Sequence, residues 1–89
     1  MYRLILYSKQ GCHLCAGLQE KLEQIENINF QLEVRDITSR EDWFAAYQYE
    51  VPVLTVDTGT EQQLPRPSPR AKVQEVERML EKYLPTESK

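Results

Sequence analysis

The spacing of the apolar residues changes twice before Arg35, and this double switch constrains the fold more than any other feature of the chain. Met1 to Tyr7 reads Met-Tyr-Arg-Leu-Ile-Leu-Tyr, the short, largely apolar run expected of a central strand, here over residues 2–7. From Cys15 onward Leu18, Leu22 and Ile25 recur at steps of three and four, and Leu14 adds the row Leu14, Leu18, Leu22. This spacing predicts a helix from about Cys12 to Glu26, ending near Asn27, a residue that tolerates the left-handed conformation common at helix ends. Ile28, Phe30, Leu32 and Val34 then alternate with Asn29, Gln31, Glu33 and Arg35, the period of a second strand. Two strands joined through a helix form a parallel pair with a right-handed crossover.

The remainder completes a small α/β architecture. Thr38-Ser39-Arg40-Glu41 fits a capping box, so a helix is expected to follow to about Tyr47, with Trp43, Phe44 and Tyr47 on one inward face. Val51 to Val56 reads as a β-branched strand opened by Pro52. Asp57-Thr58-Gly59-Thr60 is turn chemistry, and Glu61 to Leu64 closes a hairpin. Leu64 to Arg70 carries three of the five prolines and reads as a stiff connector; Ser68 followed by Pro69 predicts a helix start there. Val73, Val76, Leu80, Tyr83 and Leu84 mark the last helix, with Pro85 as its stop. The order β-α-β-α-β-β-α predicts a four-stranded mixed sheet flanked by three helices. At 89 residues the chain holds one domain over residues 1–85, with 86–89 as a tail.

Charge excludes some function classes. Eleven Lys and Arg against 14 Asp and Glu leave a net charge of −3, whereas nucleic-acid binding relies on a basic face, so no nucleic-acid partner is expected. No apolar run approaches the roughly 20 residues of a membrane span, and residues 1–7 are too short and strand-like for a leader. A soluble, cytoplasmic monomer with no membrane partner is expected.

The two cysteines of the chain both lie in Gly11-Cys12-His13-Leu14-Cys15, at the start of the first helix. Three residues apart there, they share a face and can bond. A structural staple around so short a loop stabilises by only about 2 kcal/mol, less than a long loop would. A zinc site needs four ligands, and beyond Cys12, His13 and Cys15 the chain offers no other Cys or His; a metal or iron-sulfur cluster shared between two chains, in a non-enzymatic partner-binding module, is the alternative. A redox dithiol is the reading that fits best. At a helix N-terminus the free N–H groups and the dipole favour an anion, so Cys12 is the expected nucleophile. Cys15, one turn in, suits a resolving thiol. Lys9 either adds positive charge near the Cys12 sulfur or is a solvated loop lysine. His13 either tunes the couple or is an exposed first-turn residue, and Leu14 either meets partners or packs.

Tyr7 to Cys15, together with Val51-Pro52-Val53 opening the third strand, resembles the glutaredoxin branch of the thioredoxin superfamily, closest to its short Cys-His-Leu-Cys type. The likeness runs from Tyr2 to Leu84. It implies a three-layer thioredoxin-like fold with strand order 2-1-3-4 and a thiol-disulfide oxidoreductase in which Cys12 and Cys15 are catalytic. Lys9, His13, Leu14, Val51 and Pro52 would then border the substrate. It further implies a cis Pro52 facing the dithiol, leaving the backbone of Val51 to pair with a peptide or glutathione. Expected partners are disulfide-containing proteins or glutathione, with an electron donor that is glutathione or a reductase. No tightly bound cofactor and no metal are expected. Two segments depart from typical glutaredoxins. Glu50 stands where they carry threonine, and residues 64–70 lack the paired glycines that hold glutathione. Glu50 would repel a glutathione carboxylate, and Arg66 and Arg70 either offset this or are solvated loop charges.

Overall fold

A computed structural model describes residues 2–84. Pro85 and the expected tail lie outside the described residues. The chain forms β1 (Tyr2–Ser8), α1 (His13–Glu23), β2 (Phe30–Asp36), a 3-10 turn (Ile37–Ser39), α2 (Glu41–Tyr47), β3 (Val53–Asp57), β4 (Glu61–Gln63) and α3 (Val73–Tyr83). The sheet order is β2-β1-β3-β4, with β1 parallel to β2 and antiparallel to β3. This is the expected thioredoxin-like α/β arrangement.

The two faces of β1 explain the layers. Leu4 and Leu6 point with Leu54 and Val56 toward α1 and α3, where Leu18, Leu22, Val76 and Leu80 complete the main core. Ile5 and Tyr7 point the other way and pack with Val53, Ile37, Trp43 and Tyr47 beneath α2. With seven residues, α2 covers only part of that face. Register places Arg3, Glu33, Arg35 and Asp57 on the same side, and they are satisfied there by ion pairs: Arg3 with Glu33 and Asp57, Arg35 with Glu33. Among the described residues no helix is long and apolar enough to cross a membrane.

Several local expectations are corrected. The first helix ends at Glu23, because the N–H groups of Gln24 and Ile25 close back on Lys21 and Leu22; Ile25 still reaches the core. The Thr38 capping box does not form. Asp36 accepts both the Thr38 N–H (2.9 Å) and its hydroxyl (2.7 Å), which caps the 3-10 turn, and Arg40 takes the cap position of α2. That pair of hydrogen bonds holds the Asp36 carboxyl below its ordinary pKa. Phe44 is exposed, since a two-turn helix turns only the i, i+4 pair Trp43 and Tyr47 inward. Ser68 opens a turn rather than a helix: its Oγ accepts from Arg70 N and its carbonyl from Ala71 N. The last helix begins at Val73, where Glu75 accepts the Lys72 N–H at 2.8 Å. Its stripe buries Val76, Leu80 and Leu84 but leaves Tyr83 exposed.

Candidate active site

The loop after β1 delivers Cys12 to its position. Cys12 N–H donates to Lys9 O at 3.2 Å, closing a turn whose third residue, Gly11, has φ of +81°, a backbone that glycine adopts without steric penalty. Cys12 then becomes the N-cap of α1 in extended conformation, and its Sγ accepts the Cys15 N–H at 3.2 Å. A sulfur in this place meets an unpartnered first-turn donor and the positive end of the helix dipole. Cys15 is 1% exposed whereas Cys12 is half-buried. The two form a disulfide with Cα atoms 5.2 Å apart, within the ordinary span for such a bond.

Pro52 follows a cis peptide bond from Val51 and is buried. It lines a groove of about 90 Å³ together with the two residues between the cysteines, His13 and Leu14, and with the proline connector. Leu14 is 47% exposed and faces this groove, Leu18 lines the groove from the edge of the core, and Leu22 lies wholly within the core. Three of the five residues expected to border the substrate therefore meet in one place.

The other two do not. Lys9 lines a separate hollow with Ser8, Gln10, Val34 and Asp36. Its carbonyl, through the turn, is what holds Cys12. Val51 N–H donates to Tyr47 O at 3.1 Å, so that backbone donor is engaged within the chain. The groove contains residues that the sequence reading missed, Gly17, Lys21 and Pro67, and also Arg66, which was weighed there only as an offset to Glu50. The signal for two of them was present, since His13, Gly17 and Lys21 form an i, i+4 row on α1. Arg66 comes from a distant segment, and its guanidinium donates to Glu50 O. Among the described residues no cluster of His, Cys, Asp and Glu is arranged to hold a metal ion.

A polar cluster stands beneath α2, at the end of β1 that feeds the loop. Tyr7 hydroxyl donates to Glu61 at 2.7 Å and accepts from Arg35 at 2.9 Å, and Thr55 donates to the same Glu61 oxygen at 2.9 Å. Burial, reinforced by the Glu61 hydrogen bond, pushes the Tyr7 hydroxyl up to about 12. Hydrogen bonds from Arg35 and then Arg3 hold the Glu33 carboxyl below its usual range. Arg35 also lies 5.1 Å from the centre of the Trp43 ring, which meets Tyr7 edge-on at 5.8 Å. The cluster ties β2, β1, β3 and β4 together across the sheet.

Residues 3–81 match the family described as Glutaredoxin-like domain (DUF836). Among solved structures the chain is similar to the structural-genomics target protein XcR50 from X. campestris, at 28% identity and a TM-score of 0.62, covering 89% of this chain and 96% of that one. No curated protein matches it.

Proposed function

The chain belongs to the glutaredoxin-like domain family (DUF836), and from that premise we propose that it is a thiol-disulfide oxidoreductase of the cytoplasm. The observation that carries this reading is the pairing of a half-buried Cys12 at the helix cap with a buried Cys15 to which it is bonded, with the intervening His13 and Leu14 lining one groove with Pro52. In the reduced protein the Cys12 thiolate attacks one sulfur of a substrate disulfide. That bond breaks, one substrate thiolate leaves, and a mixed disulfide joins Cys12 to the other half. Cys15, as thiolate, attacks Cys12 and releases the second thiolate. Two electrons have passed to the substrate and the protein holds the Cys12–Cys15 bond. A thiol donor, glutathione or a dithiol reductase, returns them.

The division of labour follows burial. Cys12 is open enough to meet a macromolecular disulfide, whereas Cys15 can reach only its neighbour. Protein disulfides fit better than glutathione as substrate, because residues 64–70 lack the paired glycines that hold glutathione in typical glutaredoxins. Thiol trapping across dithiothreitol redox buffers tests the couple. The expected result is a reversible two-electron transition between dithiol and Cys12–Cys15 disulfide. A pair that does not interconvert in any buffer overturns the reading.

A further inference from the structure

Resting on the oxidoreductase reading, we infer that the groove beside the dithiol selects protein disulfides flanked by acidic residues, with Lys21 and Arg66 as the specificity-determining cations. The argument begins with sign. The chain carries a net charge of −3, so its overall field repels anions. Yet the titratable residues that line this groove are His13, Lys21 and Arg66; Glu50, expected to repel a carboxylate, is not among the lining residues, nor is any other Asp or Glu.

The second step is how those cations are held. Arg3, Arg35 and Arg40 are each neutralised by carboxylates. Lys21 instead donates to Pro69 O at 2.9 Å, and Arg66 donates to Glu50 O. Among the described residues neither lies in an ion pair. A backbone carbonyl fixes a cation in place without cancelling its charge, and each group keeps further N–H donors free for a ligand. The prolines of the connector have preset φ, so little order has to be gained on binding.

The third step is the shape of the occupant. Leu14, Leu18, Pro52 and Pro67 give the groove an apolar floor. Its volume of about 90 Å³ is well under the ~300 Å³ of sites that enclose a small molecule, so it takes one apolar side chain of a longer segment that continues over the surface. A polypeptide carrying an apolar residue near its cysteine and carboxylates beside it matches floor and rim together. Glutathione has no apolar side chain for the floor.

The chemistry is a single turnover of the reduced protein. The Cys12 thiolate cleaves the peptide disulfide to a mixed disulfide plus one peptide thiolate. Cys15 then displaces the second, leaving the peptide as dithiol and the protein as disulfide. Both electrons come from the protein dithiol, so no further reductant enters.

The experiment uses pre-reduced protein and three peptides closed by an internal disulfide, identical except for flanking residues that are Glu, Gln or Lys. Rate constants are measured at low and high ionic strength, with glutathione disulfide as a fourth substrate. The acidic peptide is expected to react on the order of tenfold faster than the basic one at low salt, with the advantage shrinking at high salt. The acidic-to-basic ratio should drop several-fold in the Lys21→Gln, Arg66→Gln double variant and be retained in Lys21→Arg. Equal rates for the three peptides, an advantage that survives the double variant, or faster reaction of glutathione disulfide than of the acidic peptide would each overturn the inference while leaving the oxidoreductase reading intact. If none of the four substrates reacts, the oxidoreductase reading fails and this inference with it.

Discussion

Cys12 Sγ accepts the backbone N–H of Cys15 at 3.2 Å, so the first-turn donor of α1 is aimed at the sulfur that opens the helix. In the reduced protein the same donor and the helix dipole favour the thiolate of Cys12 over its thiol, whereas Cys15 is sealed from water. Alkylation of the reduced protein with iodoacetamide should therefore modify Cys12 first. Peptide mapping after partial alkylation at several pH values checks this. Preferential labelling of Cys15 would contradict the assignment of nucleophile and resolving thiol.

Gly11 supplies the turn that sets up this contact. Its φ of +81° is disfavoured for residues with a Cβ, although no atom lies within 4 Å of where a Cβ would stand. Gly11→Ala is thus a test of backbone strain without a clash. It should destabilise the fold by about 1 kcal/mol. Denaturant unfolding measures this; a D-alanine at the same position, introduced by chemical synthesis, should restore wild-type stability, because its backbone prefers positive φ.

Tyr7 gives a pH signature. Folding raises its pKa from 10.0 to about 12, so the folded state keeps the hydroxyl proton longer than the unfolded chain does. Below pH 10 both states are protonated and the group adds no pH dependence. Between pH 10 and 12 the unfolded state ionises first, and stability should fall by an amount on the order of 2 to 3 kcal/mol. Tyr7→Phe should lose about 1 kcal/mol at neutral pH through the hydrogen bonds to Glu61 and Arg35, and show a shallower decline in the alkaline range. Denaturant midpoints of the two proteins across this range decide it; parallel pH curves would refute the role of Tyr7.

The sequence made the succession of elements and the dithiol legible for a physical reason, whereas the strand order 2-1-3-4 came only with the glutaredoxin resemblance. Each core strand and α1 present an apolar period that burial enforces, and the cysteines lie at a period switch. What escaped was set by competition among polar groups or by long-range placement. Thr38 had a capping-box partner in Glu41, but Asp36 is nearer and takes its hydroxyl. Ser68-Pro69 has the chemistry of a helix start, yet the chain stays irregular there while crossing α1, where Lys21 holds the Pro69 carbonyl. Arg66 reached the groove only because the connector folds back past Glu50. The Tyr7, Arg35 and Glu61 cluster joins three strands, and no local spacing encodes it.

Leu14 and Leu18 occupy one row of α1 and both line the groove, but only Leu18 is also buried in the core, and substitution should separate them. Leu18 is buried against the sheet, so Leu18→Ala removes core volume and should cost roughly 2 to 4 kcal/mol in unfolding free energy. Leu14 is 47% exposed at the groove, so Leu14→Ala should change stability by less than about 0.5 kcal/mol. Its effect should appear instead in catalysis: a higher KM for peptide disulfides with an apolar residue beside the cysteine, and little change for a small disulfide that cannot fill the groove. Steady-state kinetics on both substrates, alongside thermal unfolding, resolves the two roles. If Leu14→Ala destabilised the fold as much as Leu18→Ala, Leu14 would belong to the core and not to the substrate contact of the groove.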